Sequence, residues 1–142
     1  MKEAQVEACL REYLNGKGWR INGKMKTQGE HGVDIRASHP RWRKLLFIEV
    51  KGGSGKHKNQ ECHNAFYNVL GQCISRMDKE GNSLNRARIY AIGIPAAWEK
   101  AFSSKIKKMK YGWKLLKLRA FLVEDTGKVL EKPYSYFLKK TK

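Results

Sequence analysis

Acidic side chains are scarce through the middle of this chain, and their positions are informative. Between His31 and Met77 there are three, Asp34, Glu49 and Glu61, and between Lys100 and Val123 there are none. Asp34 and Glu49 both fall in apolar stretches that read as strands. A buried carboxylate is costly unless it is paired or holds a metal, so both residues require a reason. The short connection Ser38-His39-Pro40-Arg41-Trp42-Arg43 joins the two stretches and implies an antiparallel hairpin. A register that sets Asp34 opposite Glu49 centres the connection near residues 41 and 42. Directly opposed residues have Cβ atoms about 4.5–5.5 Å apart. Two carboxylates so placed suit one hard cation, Mg2+ or Mn2+, which leaves room for water and phosphate oxygens. Lys51 follows Glu49 by two residues and falls on the same strand face. The carboxylates could hold the metal that lowers the pKa of a bound water and polarises a phosphodiester. The lysine could orient that water or stabilise the developing charge.

These residues need a scaffold, and the hydrophobic periodicity supplies one. Residues Glu3 to Lys17 read as a helix with an apolar stripe at Val6, Cys9, Leu10, Tyr13 and Leu14, stopped by Gly16 and Gly18. Strands are expected over Trp19 to Thr27, Gly32 to Ala37 and Arg43 to Lys51. In the third, Leu46, Ile48 and Val50 face one way, and Leu45, Phe47, Glu49 and Lys51 the other. Such a strand is covered on both sides. A glycine-rich basic loop leads into the clearest helix, Asn59 to Lys79, with its stripe at Cys62, Phe66, Val69, Leu70, Cys73, Ile74 and Met77. A buried strand, Ala87 to Pro95, precedes a helix over Ala96 to Lys110. Two last strands, Trp113 to Glu124 and Val129 to Leu138, join through Asp125-Thr126-Gly127. The order α-β-β-β-α-β-α-β-β predicts an α/β fold, a single domain over residues 1–142. Its mixed central sheet would have about five or six strands flanked by helices. The core would span about residues 3–95, with a helix and strands over 96–138 and a basic tail at 139–142.

Gly32-Val33-Asp34 followed by Phe47-Ile48-Glu49-Val50-Lys51-Gly52 resembles the PD-(D/E)XK, or restriction-endonuclease-like, nuclease superfamily. The α-β-β-β-α-β order resembles that family's core as well. Val33 stands where the family signature has proline. The resemblance implies a metal-dependent phosphodiesterase using Mg2+ or Mn2+. It makes Asp34 and Glu49 metal ligands, the Val50 carbonyl a third ligand, and Lys51 the catalytic lysine. Members of the family carry a glutamate on the first helix, which Glu7 would match. Others carry a glutamine on the helix after the E-x-K strand, which Gln72 would match.

Net charge points to the same class of partner. The 142 residues include 30 Lys+Arg and 13 Asp+Glu, a formal charge of +17, with 11% aromatic and 41% hydrophobic content. Disordered basic tails lack that aromatic content, and a surface this positive expects a polyanion, nucleic acid first. Residues 105 to 119 hold seven Lys/Arg and no acid. Arg36, Arg41, Arg43 and Lys44 on the hairpin, with Lys56 and Lys58 in the glycine-rich loop, are candidate phosphate contacts. Trp42, between two arginines beside the expected metal site, is a candidate for stacking on a base or for packing. The expected substrate is DNA, double-stranded or branched, cut through a metal-activated water. A homodimer would bring two sites to a duplex, and a protein partner would supply specificity. A binding module on a nuclease-like fold and an RNA-directed nuclease are the alternatives.

Other classes fall away. No apolar run reaches the roughly 18 residues of a membrane span, and the first residues contain no secretory apolar core. Cys9, Cys62 and Cys73 form no paired spacing, so a reducing, nucleic-acid-containing compartment such as the cytoplasm is expected. The set His57, Glu61, Cys62 and His63 lacks a second pair at zinc spacing. Glu7 with Arg11 also fits an ordinary i,i+4 pair on a solvated helix face, and Asp34, Glu49 and Lys51 a structural ion pair at a strand end.

Overall fold

The computed structural model describes residues 1–23, 34–54, 58–80 and 87–139. The first helix, α1 (Glu3–Gly16), starts where the Gln5 side chain accepts the Lys2 backbone N–H at 2.8 Å. It ends where Gly18, at φ +88°, lets the Trp19 N–H close on the Leu14 carbonyl. Then come β1 (Arg20–Asn22), β2 (Ile35–Ser38) and β3 (Lys44–Val50), followed by α2 (Lys58–Glu80) and β4 (Ala87–Pro95). A short 3-10 turn (Ala96–Trp98), α3 (Glu99–Lys107), α4 (Lys110–Leu116), β5 (Arg119–Val123), β6 (Val129–Lys132) and a 3-10 turn (Tyr134–Leu138) complete the described chain.

The six strands form one mixed sheet in the order β1-β2-β3-β4-β5-β6. The pairs β1/β2, β2/β3 and β5/β6 are antiparallel, and β3/β4 and β4/β5 are parallel. An α/β sheet flanked by helices is what the periodicity predicts. Val6, Leu10 and Leu14 of α1 cover one face, packing with Ile35, Ala37, Leu46, Ile48, Val50, Ala91, Phe121 and Val123. Cys62, Phe66, Val69 and Cys73 of α2, with Phe102, Ile106 and Trp113, cover Ile92, Ile94, Ala120 and Leu122 on the other. Residues Leu45 to Val50 are therefore all buried. Gly93 is where α1 crosses β4: a Cβ there would lie 2.5 Å from Leu10 Cδ1.

The C-terminal third differs from expectation. The helix begun at Glu99 breaks at Lys108–Met109, and a new helix, α4, occupies the start of the stretch expected as a strand from Trp113. Trp113 N–H bonds to the Met109 carbonyl at 3.0 Å, and the buried Trp113 ring donates from Nε1 to the Tyr134 carbonyl at 2.8 Å. Lys117, at φ 52°, ends this helix and turns the chain into β5. The last strand stops at Lys132, because Pro133 has no N–H to donate. The chain then winds into a turn that buries Phe137 against Trp113. The first strand is only Arg20–Asn22. Of the second, residues 32 and 33 lie outside the described residues, as do residues 24–27 of the expected first strand.

Candidate active site

The site begins with strand register. The ladder of β2 and β3 ends with Ile35 paired to Ile48, in the register anticipated from the hairpin length; carried one residue further, that register sets Asp34 across from Glu49. Asp34 sits just beyond the end of β2, and its Oδ2 accepts the Val50 backbone N–H at 2.7 Å. An N–H bonded to a carboxylate is a charge-assisted contact, and it ties the Asp34 side chain to the end of β3. The N–H and C=O of one strand residue point toward the same neighbour. The Val50 carbonyl therefore lies on the Asp34 side of β3.

Glu49 is buried, at 4% exposure, and faces α2. Its Oε1 lies 3.8 Å from Nε of Arg76, a mostly buried side chain of α2. Burial pushes the Cys73 thiol up, and the negative charges of Glu49 and then Asp34 push it further the same way. Strand alternation sets Glu49 on the face of β3 toward α2, away from Ile48 and Val50 beneath α1. Lys51 belongs to that face by strand alternation and is partly exposed.

The segment that carries Lys51 is held firmly. Lys51 N–H donates to the Gly93 carbonyl at 2.9 Å, and Gly53 N–H to the Met1 carbonyl at 3.0 Å. A Cβ at Gly52 would overlap the Lys2 and Glu3 backbone. Glu61, in the first turn of α2, accepts from Ser54 N (3.0 Å) and Ser54 Oγ (2.7 Å). The turn after β3 is thereby wedged between the starts of two helices, which preorganises the lysine.

Glu7 is buried at 6% exposure rather than solvated. It accepts Arg11 Nε at 2.9 Å, and Arg11 reaches on to the Asp34 carbonyl (3.3 Å) and the Gly23 carbonyl (3.1 Å). Glu7 therefore connects to Asp34 through Arg11. Gln72 is exposed on α2, one turn before Arg76. Arg76, not Gln72, is the α2 side chain ion-paired with Glu49. Arg11 and Arg76 are the residues sequence reasoning missed. Arg11 appeared there only as a neighbour of Glu7, and an arginine beside an apolar helical stripe carries no mark of its target.

Among the nucleic-acid candidates, Arg36 lies on the site's face, its guanidinium 5.2 Å from the Phe47 ring. Arg88 of β4 approaches the same ring at 5.8 Å, and Phe47 stacks on Tyr90 at 5.3 Å. Arg41, Trp42, Arg43 and Lys44 are not beside the carboxylates, contrary to the expectation for Trp42. A hairpin puts its connection at the end of the strands away from Asp34 and Glu49. The five steps from Lys44 to Glu49 span about 17 Å at about 3.3 Å each. Lys56 lies outside the described residues. Lys58 opens α2, and its side chain is not among those described.

The donor set fits a hard cation: two opposed carboxylates and one carbonyl, all oxygen. A cation there would share Glu49 with Arg76 or displace it. Among the described residues, no three His, Cys, Asp or Glu side chains form a metal-ligand group. Of the residues weighed for zinc, Cys62 is buried, His63 contacts Lys105 Nζ at 2.8 Å, and His57 lies outside the described residues. Among the described residues no helix is long and apolar enough to cross a membrane. No family model matches this chain, and no curated protein matches it.

Proposed function

We propose that this chain is a metal-dependent nuclease that hydrolyses DNA phosphodiester bonds, as its resemblance to the PD-(D/E)XK nucleases implies. The observation that carries the reading is the Asp34 carboxylate bonded to the Val50 N–H, next to Glu49, at the end of β3 that the Ile35–Ile48 register brings to it. Asp34, Glu49 and the Val50 carbonyl would hold Mg2+ or Mn2+. Bound there, the cation would supply Lewis acidity and charge neutralisation. Lys51, on the same face, holds a phosphate oxygen and offsets the charge that grows on it. Arg36, on the same face, is a cation for a neighbouring phosphate. Water adds to phosphorus, the P–O ester bond breaks, and the departing oxygen leaves as a hydroxyl. Glu7 and Arg11 act as positioning residues, holding the Asp34 backbone. A homodimer would bring a second site to the other strand, and a protein partner would narrow the choice of DNA.

A second reading, a nucleic-acid-binding module without catalysis, is favoured by the ion pair that Arg76 already forms with Glu49. Supercoiled plasmid incubated with Mg2+, Mn2+ or EDTA separates the two. The nuclease reading expects nicking that needs metal and disappears in Glu49→Ala and in Lys51→Ala. No cutting, with plasmid still retarded at low salt, supports the binding module. Cutting that survives in both variants removes the site assignment.

A further inference from the structure

The tip of the β2–β3 hairpin carries an aromatic stack that catalysis does not use. Trp42 is 52% exposed on the turn. Its ring lies on His39, with centroids 4.0 Å apart and planes 19° from parallel. Trp19 meets both rings edge-on, at 5.2 Å from His39 and 6.2 Å from Trp42.

His39 is fixed at both ring nitrogens. The Arg41 backbone N–H donates to Nδ1 at 3.2 Å, so Nδ1 must accept. Nε2 then carries the hydrogen of the neutral ring and faces the Lys17 carbonyl at 3.4 Å. Gly18 leaves room for this ring, since a Cβ there would come 3.3 Å from Nε2. One face of Trp42 thus rests on a backed, oriented ring, while half of its surface meets water.

The charge around the stack has one sign. Lys17, Arg20, Arg41, Arg43 and Lys44 flank it, and no Asp or Glu occurs from residue 13 to 23 or from 35 to 48. Lys44 Nζ lies over the Trp42 ring, 5.7 Å from its centroid. A half-exposed aromatic ring attended by cations complements a planar base on a phosphate chain. An acidic protein would match the charge but would leave the ring unused.

We infer that Trp42, backed by His39 and Trp19, is a stacking platform for an unpaired base of DNA. The inference rests on the nucleic-acid reading above and adds to it a substrate class, DNA with a single-stranded segment. A paired base inside a duplex shows only its edges in the grooves and cannot stack on Trp42. A tail, flap or bubble can.

The test is equilibrium binding in EDTA, by fluorescence anisotropy. A duplex bearing a single-stranded DNA tail is compared with a blunt duplex of the same paired length. Wild type should prefer the tailed duplex. Trp42→Ala should weaken tailed binding about 5- to 150-fold and leave blunt binding unchanged. Trp42→Phe, which keeps a ring, should retain most of the preference. Blunt binding also reports that the variants are folded. Equal loss on both substrates, or no loss on either, overturns the platform while leaving the nuclease reading intact. Wild type that binds neither substrate defeats the nucleic-acid reading and this inference with it. A preference for an RNA tail over the DNA tail overturns the choice of DNA.

Discussion

Two arginines decide how the acidic residues behave. Glu49 is nearly fully buried, and its neighbour in charge is Arg76 on α2. Removing one partner of a buried pair leaves a charge without compensation, whereas removing both costs far less. Arg76→Met should therefore destabilise the protein by about 1–3 kcal/mol, and the double change Glu49→Gln with Arg76→Met should recover most of it. Urea unfolding of the single and double variants measures both. If Mg2+ uses Glu49, Arg76→Met should also increase the thermal shift produced by Mg2+, since the cation no longer competes with the guanidinium. Cysteine reactivity reads the same region. The Cys73 thiol is held up first by burial and then by Glu49 and Asp34, and Cys62 is also held up by burial. A group whose acid form is favoured in the fold stays protonated as pH rises past its ordinary range. At pH 8 a disulfide reagent should therefore modify Cys9, which is only partly buried, and reach Cys62 and Cys73 only on unfolding. Rapid native modification of Cys73 would contradict its burial against β4. The opposition of Asp34 and Glu49 was legible because a short connection leaves few registers. Arg11 and Arg76 were not, because long side chains reach targets that spacing does not encode.

At the scale of elements, the turn from β3 to α2 matters most. Gly52 touches the backbone that starts α1, and Glu61 of α2 holds Ser54. Gly52→Ala should force the turn away from α1, cost about 1–3 kcal/mol and displace Lys51. Under the proposed function, cleavage should fall much further than stability, as plasmid assays beside thermal melts would register. Helices α1 and α2 and strands β3 and β4 could be anticipated, because their apolar periods are long and unambiguous. The boundary near Trp113 could not. Trp113 and Leu115 alternate as strand residues do, yet Leu115 is exposed and the buried Trp113 belongs to a helical turn. The hairpin could be read without its orientation. That Trp42 belongs to the end away from Glu49 follows only from tracing which strand ends meet.

Across the whole molecule, charge dominates. The formal charge is +17, and Lys105 and Lys107 on α3, Lys108 just after it, and Lys110 and Lys114 on α4 cluster in one stretch. Each phosphate neutralised releases counterions, so affinity falls with salt at a slope near −0.9 per contact. If about six phosphates are engaged, raising salt from about 50 to 200 mM should weaken DNA binding about a thousandfold. A salt titration by anisotropy gives the slope. A slope near zero would mean that the excess charge serves something other than nucleic acid. Heparin should compete for the electrostatic part and leave any difference between tailed and blunt DNA in place.

Strand β3 packs its two faces against different helices, and this gives it two grades of mutational tolerance. Leu46, Ile48 and Val50 fill the core beneath α1. Glu49 and Lys51 look the other way. In a library covering residues 46 to 51, substitutions at 46, 48 and 50 should lower protein abundance. Those at 51, a partly exposed residue, should spare abundance and lose cleavage, whereas those at 49 should lose both, because Glu49 is buried against Arg76. The face of β3 toward α2 thus passes from fold to chemistry along its length, from the buried Phe47 through Glu49 to Lys51.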